Sequence, residues 1–221
     1  MAAGPFEVKS CALIVRMDGL PSAVNLRELR DRTGRCSDKS IYHHTIERLI
    51  RPGFDEPEFT NDFAAWAYRS LGDQILAERL ANLDPFAASS IESLRADILD
   101  ILEERLAEIE HLPSVPWGKG FYFMQASIVV FDTGMRIGRP EDILGALRKM
   151  TRRSLYFHFV EGRSRHQGPD DFSDWLQAQG ELGRRLAGAL AGVDVQFFNL
   201  RDLKQEMIRR ARGVIGGGAE A

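Results

Sequence analysis

Ser40-Ile41-Tyr42-His43-His44-Thr45-Ile46-Glu47 is answered later in the chain by Ser154-Leu155-Tyr156-Phe157-His158-Phe159-Val160-Glu161. The echo extends both ways. Downstream, Asp62-Phe63-Ala64-Ala65-Trp66 returns as Asp171-Phe172-Ser173-Asp174-Trp175, and Leu80-Ala81-Asn82-Leu83-Asp84 returns as Leu190-Ala191-Gly192-Val193-Asp194. Upstream, Phe6, Leu13-Ile14-Val15 and Gly19 return as Phe121, Ile128-Val129-Val130 and Gly134. The order never changes, which is the signature of a tandem duplication of a unit of about a hundred residues.

The boundaries follow from the spacing. The expected first repeat is 1–112 and the second is 121–213. They are joined by a linker, 113–120, that holds Pro113, Pro116, Gly118 and Gly120, and are followed by a flexible tail, 214–221. The serines are offset by 114 and the aspartates by 109, so the first copy carries five extra residues between Arg51 and Thr60.

Each copy opens on a strand. Phe6 to Val15 and Phe121 to Phe131 are rich in apolar, β-branched and aromatic residues, the composition of a buried strand. Asp18-Gly19 and Thr133-Gly134 read as the turns that follow. The rest reads as helix. Ser37 or Asp38, and Thr151, fit as N-caps of the Tyr-x-His helix, which Pro52-Gly53 should stop near Arg51. Asn61 and Asp170 cap the Trp helix, and Ser90 opens a long helix to about Glu110. The expected fold is therefore α+β and predominantly helical. It consists of two pseudo-symmetric repeats, each a strand followed by about five helices, with the strands paired near a pseudo-two-fold axis.

Composition is that of an ordinary globular protein, with 44% hydrophobic and 28% charged residues. Cys11 and Cys36 form no metal or disulfide pattern and fit a reducing cytoplasm. Met1 to Cys11 carries Glu7 and Lys9 and lacks the apolar core of a signal peptide. No apolar run is long enough to span a bilayer. Charge is uneven: 1–112 holds 13 Lys+Arg against 20 Asp+Glu, while 113–221 holds 16 against 12. This reads first as drift between two solvated surfaces. The alternatives are a basic face for an anion, centred on Arg148, Lys149, Arg152 and Arg153, and attraction between protomers.

The candidate site is a polar stripe present twice. Ser40, His44, Glu47 and Arg51 fall on one face of an α-helix, and Ser154, His158, Glu161 and Arg165 repeat them. Packing alone preserves apolar positions, so four shared polar positions need another reason. A local network would supply one, with each Glu paired to its Arg and each His bonded to a carbonyl or to the capping Asp of the next helix. A ligand site would supply another, since His44, Glu47, His158 and Glu161 could in principle gather around a divalent metal. No metal and no cofactor is expected, because Arg51 and Arg165 compete for the carboxylates. Trp66 and Trp175 read as core anchors. No phosphate loop, dinucleotide fingerprint or nucleophile elbow is present. Nucleic acid is not an expected partner, given the net charge of −3. A protein partner or a second copy remains open.

The Ser-Ile-Tyr-x-His…Glu-x-x-x-Arg and Asp-Phe-x-x-Trp motifs, repeated in order with the strands and turns, resemble an uncharacterised bacterial family known only as a domain of unknown function. The resemblance implies a cytosolic bacterial protein and supplies no activity, ligand or catalytic residue. The leading reading is a non-catalytic binding or regulatory protein; the alternatives are a metal-binding protein or small enzyme that uses the paired His-x-x-Glu stripes, and phosphate or nucleic-acid binding by the basic second half. Phe157 and Phe159 make the surroundings of the second histidine more apolar than those of the first.

Overall fold

Side-chain caps set where the helices begin. In the computed structural model, which describes residues 4–49, 59–166, 169–195 and 198–216, Asn25 caps α1 (Leu26–Thr33), Ser37 caps α2 (Asp38–Thr45) and Asn61 caps α3 (Asp62–Trp66). Asp73 caps α4 (Gln74–Ala81) and Ser90 caps α5 (Ile91–Glu108). Each side-chain oxygen accepts one of the backbone N–H groups that the first helical turn leaves unpaired. After α6 (Ile143–Lys149), Thr151 caps α7 (Arg152–Leu155) and Asp170 caps α9 (Asp171–Gln177). Between them lie a π-helical stretch, Tyr156–Glu161, and α8 (Gly162–His166). The chain closes with α10 (Gly180–Ala191) and α11 (Leu200–Gly216). The tail expected from residue 214 thus starts inside a helix, and residues 217–221 lie outside the described ones. No helix among the described residues is long and apolar enough to cross a membrane.

Two strands pair into a ribbon, β1 (Phe6–Met17) and β2 (Met124–Ile137). Their register is antiparallel, since Arg16 reaches Gln125 while Thr133 reaches the carbonyl of Val8. Two expectations need correcting here. Phe121 precedes the strand and instead forms an isolated bridge with Ala23. Thr133-Gly134 is not a turn after the strand: β2 runs through it to Ile137. Gly134 adopts φ 77°, which glycine allows, and its N–H is taken by Asp132.

The chain divides into two compact units. The central unit is Leu13–Ser127. Its core gathers Leu26, Leu29, Ile41, Phe63, Leu76, Leu94 and Ile98 around Phe121 and Phe123. Arg95, almost fully buried, ties α5 to the α1–α2 corner by donating to the carbonyls of Thr33 and Cys36, both at 2.8 Å. The terminal unit combines Met1–Ala12 with Ile128–Ala221. In it Phe6, Val8 and Cys11 are buried, as are Leu155, Phe159, Phe172, Leu186 and Leu203 of the helices. α10 packs closely on α9, because Gly183 has no side chain: an added Cβ would collide with the carbonyl of Leu176.

Two strands have little stability of their own, so helices must cover each stretch of ribbon. The division at Ala12/Leu13 and Ser127/Ile128 cuts across the expected repeat bounds of 1–112 and 121–213. Residues 1–12 lie with the helices after 128, and residues 121–127 lie with the helices before 112. A fragment of residues 13–127 should therefore melt cooperatively by circular dichroism. A fragment of residues 1–112, which lacks Phe121, Phe123 and the linker carbonyls, should show only a broad, uncooperative transition. An equally sharp transition in both would mean that the 113–127 segment is dispensable to the central core.

Candidate functional site

The two histidines of the stripes occupy equivalent buried positions, each 3% exposed. In the central unit, Nδ1 of His44 lies 2.8 Å from Oδ2 of Asp62, and its Nε2 accepts the backbone N–H of Met124 at 2.9 Å. In the terminal unit, Nδ1 of His158 lies 2.7 Å from Oδ2 of Asp171, and its Nε2 accepts the backbone N–H of Lys9 at 2.8 Å. A carboxylate has no hydrogen to offer, so Nδ1 donates. Nε2 faces an N–H, so it must carry the lone pair. Both rings are thereby fixed as the neutral Nδ1–H tautomer.

Aromatic rings enclose each imidazole. His44 packs against Phe121, with ring centres 4.7 Å apart, and against Phe63. His158 packs against Phe6 at 4.8 Å and Phe172 at 5.4 Å. The tryptophans complete the pattern. Nε1 of Trp66 donates to the carbonyl of Lys119 at 2.8 Å, and Nε1 of Trp175 donates to that of Gly4 at 2.9 Å. Both are core anchors with one polar tether, the usual arrangement for buried indoles.

The rest of the stripe departs from the straight α-helical face. α2 stops at Thr45 and tightens into a 3-10 turn at Glu47–Leu49. α7 passes instead into the wider π-helical stretch Tyr156–Glu161. Either change rotates the downstream residues off the α register. Glu47 faces His43, its i,i+4 neighbour, rather than His44: both side chains are buried, with His43 Nδ1 2.7 Å from Glu47 Oε2. Arg51, its expected partner, lies outside the described residues. Glu161 and Arg165 do approach, at 3.9 Å, but Arg165 makes its shorter bond to Asp171 at 2.8 Å and lies over the Phe157 ring. In the central unit Arg48 fills the same role on Asp62. Ser40 and Ser154 are both buried in the first turn of their helices, and the Ser154 hydroxyl pairs with that of Thr151 at 2.9 Å. Each is the third helical residue, and its N–H is received by Ser37 or Thr151.

The sequence reading offers each imidazole a carbonyl or the capping Asp of the next helix, and the partners are the residues just after the caps, Asp62 and Asp171. The signal was available, since both open the repeated Asp-Phe motif. His43, which stands where the second stretch has Phe157, forms its buried pair with Glu47 in the central unit. Nothing local signals the strand N–H groups, which come from residues 80 and 149 positions away. Among the described residues, no group of three or more His, Cys, Asp or Glu is placed to hold a metal ion. An open cavity of about 380 Å³ on the central unit is lined by a different set that includes Asp73, Arg105 and His111.

Electrostatics agree with the geometry. Burial by itself would raise the carboxyl of Asp171, but the hydrogen bonds from His158 and Arg165 and the Arg165 charge outweigh it and hold the group below the ordinary aspartate range. Asp170 beside it goes the other way: burial pushes it up despite its bonds to Ser173.

A mostly helical α+β architecture with a two-stranded ribbon held by histidine–aspartate pairs defines the class. The chain belongs to a family of unknown function, DUF5752, whose profile matches residues 3–212. It is similar to the solved structure of OrfY from Thermoproteus tenax, with a TM-score of 0.79 and 27% identity over 97% of each chain. No curated protein matches it.

A group whose folded pKa is lowered stabilises above its unfolded value and loses that contribution as pH falls through the folded one. Asp171→Asn keeps an acceptor for His158 and removes the charge. The stability lost in this variant, measured by chemical denaturation, should be full at neutral pH and shrink as pH drops below about 3.9, the ordinary aspartate value. A loss that did not change with acid would mean that the charge of Asp171 is not what holds His158 and Arg165.

Proposed function

We propose that this chain is a non-catalytic binding or regulatory protein of the bacterial cytoplasm. It is built from two copies, 1–112 and 121–213, that have exchanged their opening strands. The exchange is supported by three pairs of contacts, each offset by 115 residues. Gly4 and Lys119 receive the tryptophans, Phe6 and Phe121 pack on the imidazoles, and Lys9 and Met124 donate to them. In every pair the residue near the start of the chain serves helices beyond residue 150, and the residue 115 positions later serves helices before residue 112.

One observation carries the non-catalytic reading: both nitrogens of His44 and of His158 are committed internally, in the same way, twice. A general base needs a nitrogen facing its substrate, and a metal ligand needs an open lone pair. These rings instead clamp a strand to a helix. The cytoplasmic assignment is supported by the sequence's two cysteines, Cys11 and Cys36, which are both buried.

The reading is tested by stability and metal content together. His44→Ala and His158→Ala should each cost about 1–3 kcal/mol, the usual penalty for leaving buried polar partners unsatisfied. Elemental analysis of protein purified without chelator should find no stoichiometric metal. Unchanged stability in both variants, or a bound metal that either variant loses, would transfer the stripes to a ligand-binding role.

A further inference from the structure

In each unit the long helix clamps the corner between two shorter ones with a basic side chain. In the central unit Arg95 of α5 donates to the carbonyls of Thr33 and Cys36, at the corner from α1 to α2. In the terminal unit Lys204 of α11 donates from Nζ to the carbonyls of Arg148 and Met150, at 3.0 and 2.7 Å, at the corner from α6 to α7. The positions correspond. Cys36 and Met150 stand 114 residues apart, as the stripe serines do, and Arg95 and Lys204 stand 109 apart, as the Asp-Phe aspartates do.

What surrounds the clamp differs in sign. The other donors of Arg95 meet two exposed carboxylates: Nε bonds Glu92 at 2.9 Å, and Nη2 bonds Asp38. The same offsets put Arg152 where Asp38 stands and Arg201 where Glu92 stands. Both are exposed, as are Arg148, Lys149 and Arg153. Among the described residues none of these five forms an ion pair with a carboxylate, whereas Arg136, Arg165, Arg184 and Arg209 of the same unit each do. Asp202, next to Arg201, is held by Asn199 at 2.7 Å. An ammonium has three protons to donate. The two carbonyls take two of those on Lys204, and the third meets no acceptor among the described residues. The corner itself is fixed, with Met150 buried and Thr151 receiving the Ser154 N–H at 3.0 Å. Cations gathered on one corner repel one another, and an anion settling among them removes that cost. We propose that this corner docks an acidic segment of a partner protein, whose carboxylates take the places that Asp38 and Glu92 fill in the central unit. Those two side chains favour carboxylates over phosphate, because they are the groups that meet a cation clamped in this way. The inference rests on the binding reading above and supplies the chemistry of the partner.

Fluorescence anisotropy of a labelled poly-glutamate peptide, titrated with the full chain, tests this. Binding should weaken as salt is added, because screening acts on exposed charges. Arg152→Asp combined with Arg201→Glu gives the terminal corner the carboxylates of the central one. That variant should bind the peptide about tenfold more weakly or worse, since like charges then face each other. It should melt no lower than the wild type, since Lys204 gains the partners that Arg95 has. Arg152→Gln combined with Arg201→Gln, which removes charge without adding any, should fall between the two in affinity. Arg185→Glu combined with Arg212→Glu makes the same change of charge at exposed positions away from the corner and should keep most of the binding. Three results overturn the proposal: no binding of the peptide at low salt, an equal loss in the corner variant and in the distant one, or a single-stranded oligonucleotide bound more tightly than the peptide. Each would leave the reading of His44 and His158 standing, because that reading is decided by melting and metal analysis.

Discussion

A backbone N–H at the edge of a two-stranded ribbon has no third strand to pair with, and the fold answers that need with an imidazole. Lys9 and Met124 present their amides to Nε2 of His158 and His44, and Asp171 and Asp62 fix the opposite nitrogens. Buried backbone groups must be paired somewhere, and here the pairing is done by a side chain that accepts on one side while donating on the other. Both aspartates sit in the first turn of their helices, where a negative charge is favoured by the helix dipole. An apolar residue at the histidine position could fill the space but could not accept the strand amide. Packing alone would allow such a substitution, and the hydrogen-bond requirement forbids it. This explains why a polar residue stands there in both halves.

Much of this was legible in the residues. Asn25, Ser37, Asn61, Ser90, Thr151 and Asp170 announce helix starts because capping is local: a side-chain oxygen and an amide two or three residues away decide it. The paired Ser-x-x-x-His spacing located both buried histidines. What could not be read was non-local. Nothing in Phe6 to Lys9 says that its cover comes from residues beyond 150. The helical register after His44 and His158 was also hidden. One copy tightens to a 3-10 turn and the other widens to a π-helix, although the sequences at those positions are alike. Glu47 has a histidine both three and four residues before it, and the spacing did not show that it would take His43 rather than His44.

The differences between the halves follow from single substitutions. Where the central unit has His43, Glu47 turns inward and pairs with it. Where the terminal unit has Phe157, the ring instead supports the guanidinium of Arg165 at 4.1 Å, which keeps that arginine near both Glu161 and Asp171. The anchoring of the strand survives both arrangements, because it depends on the next residue along. The shared bonds are thus insulated from the variable ones, and each half is free to differ on its outer layer.

Assembly of the terminal unit from both ends of the chain also has a consequence in time. Residues 13–127 are contiguous and can collapse as soon as they are synthesised. Phe6, Val8 and the carbonyl of Gly4 cannot reach their places until Trp175 exists, 171 residues further on. Contacts so distant in sequence close slowly, and exposed apolar strands are vulnerable while they wait. On the ribosome the first segment made is therefore the last to dock, and the nascent chain carries an unpaired apolar strand through most of its synthesis.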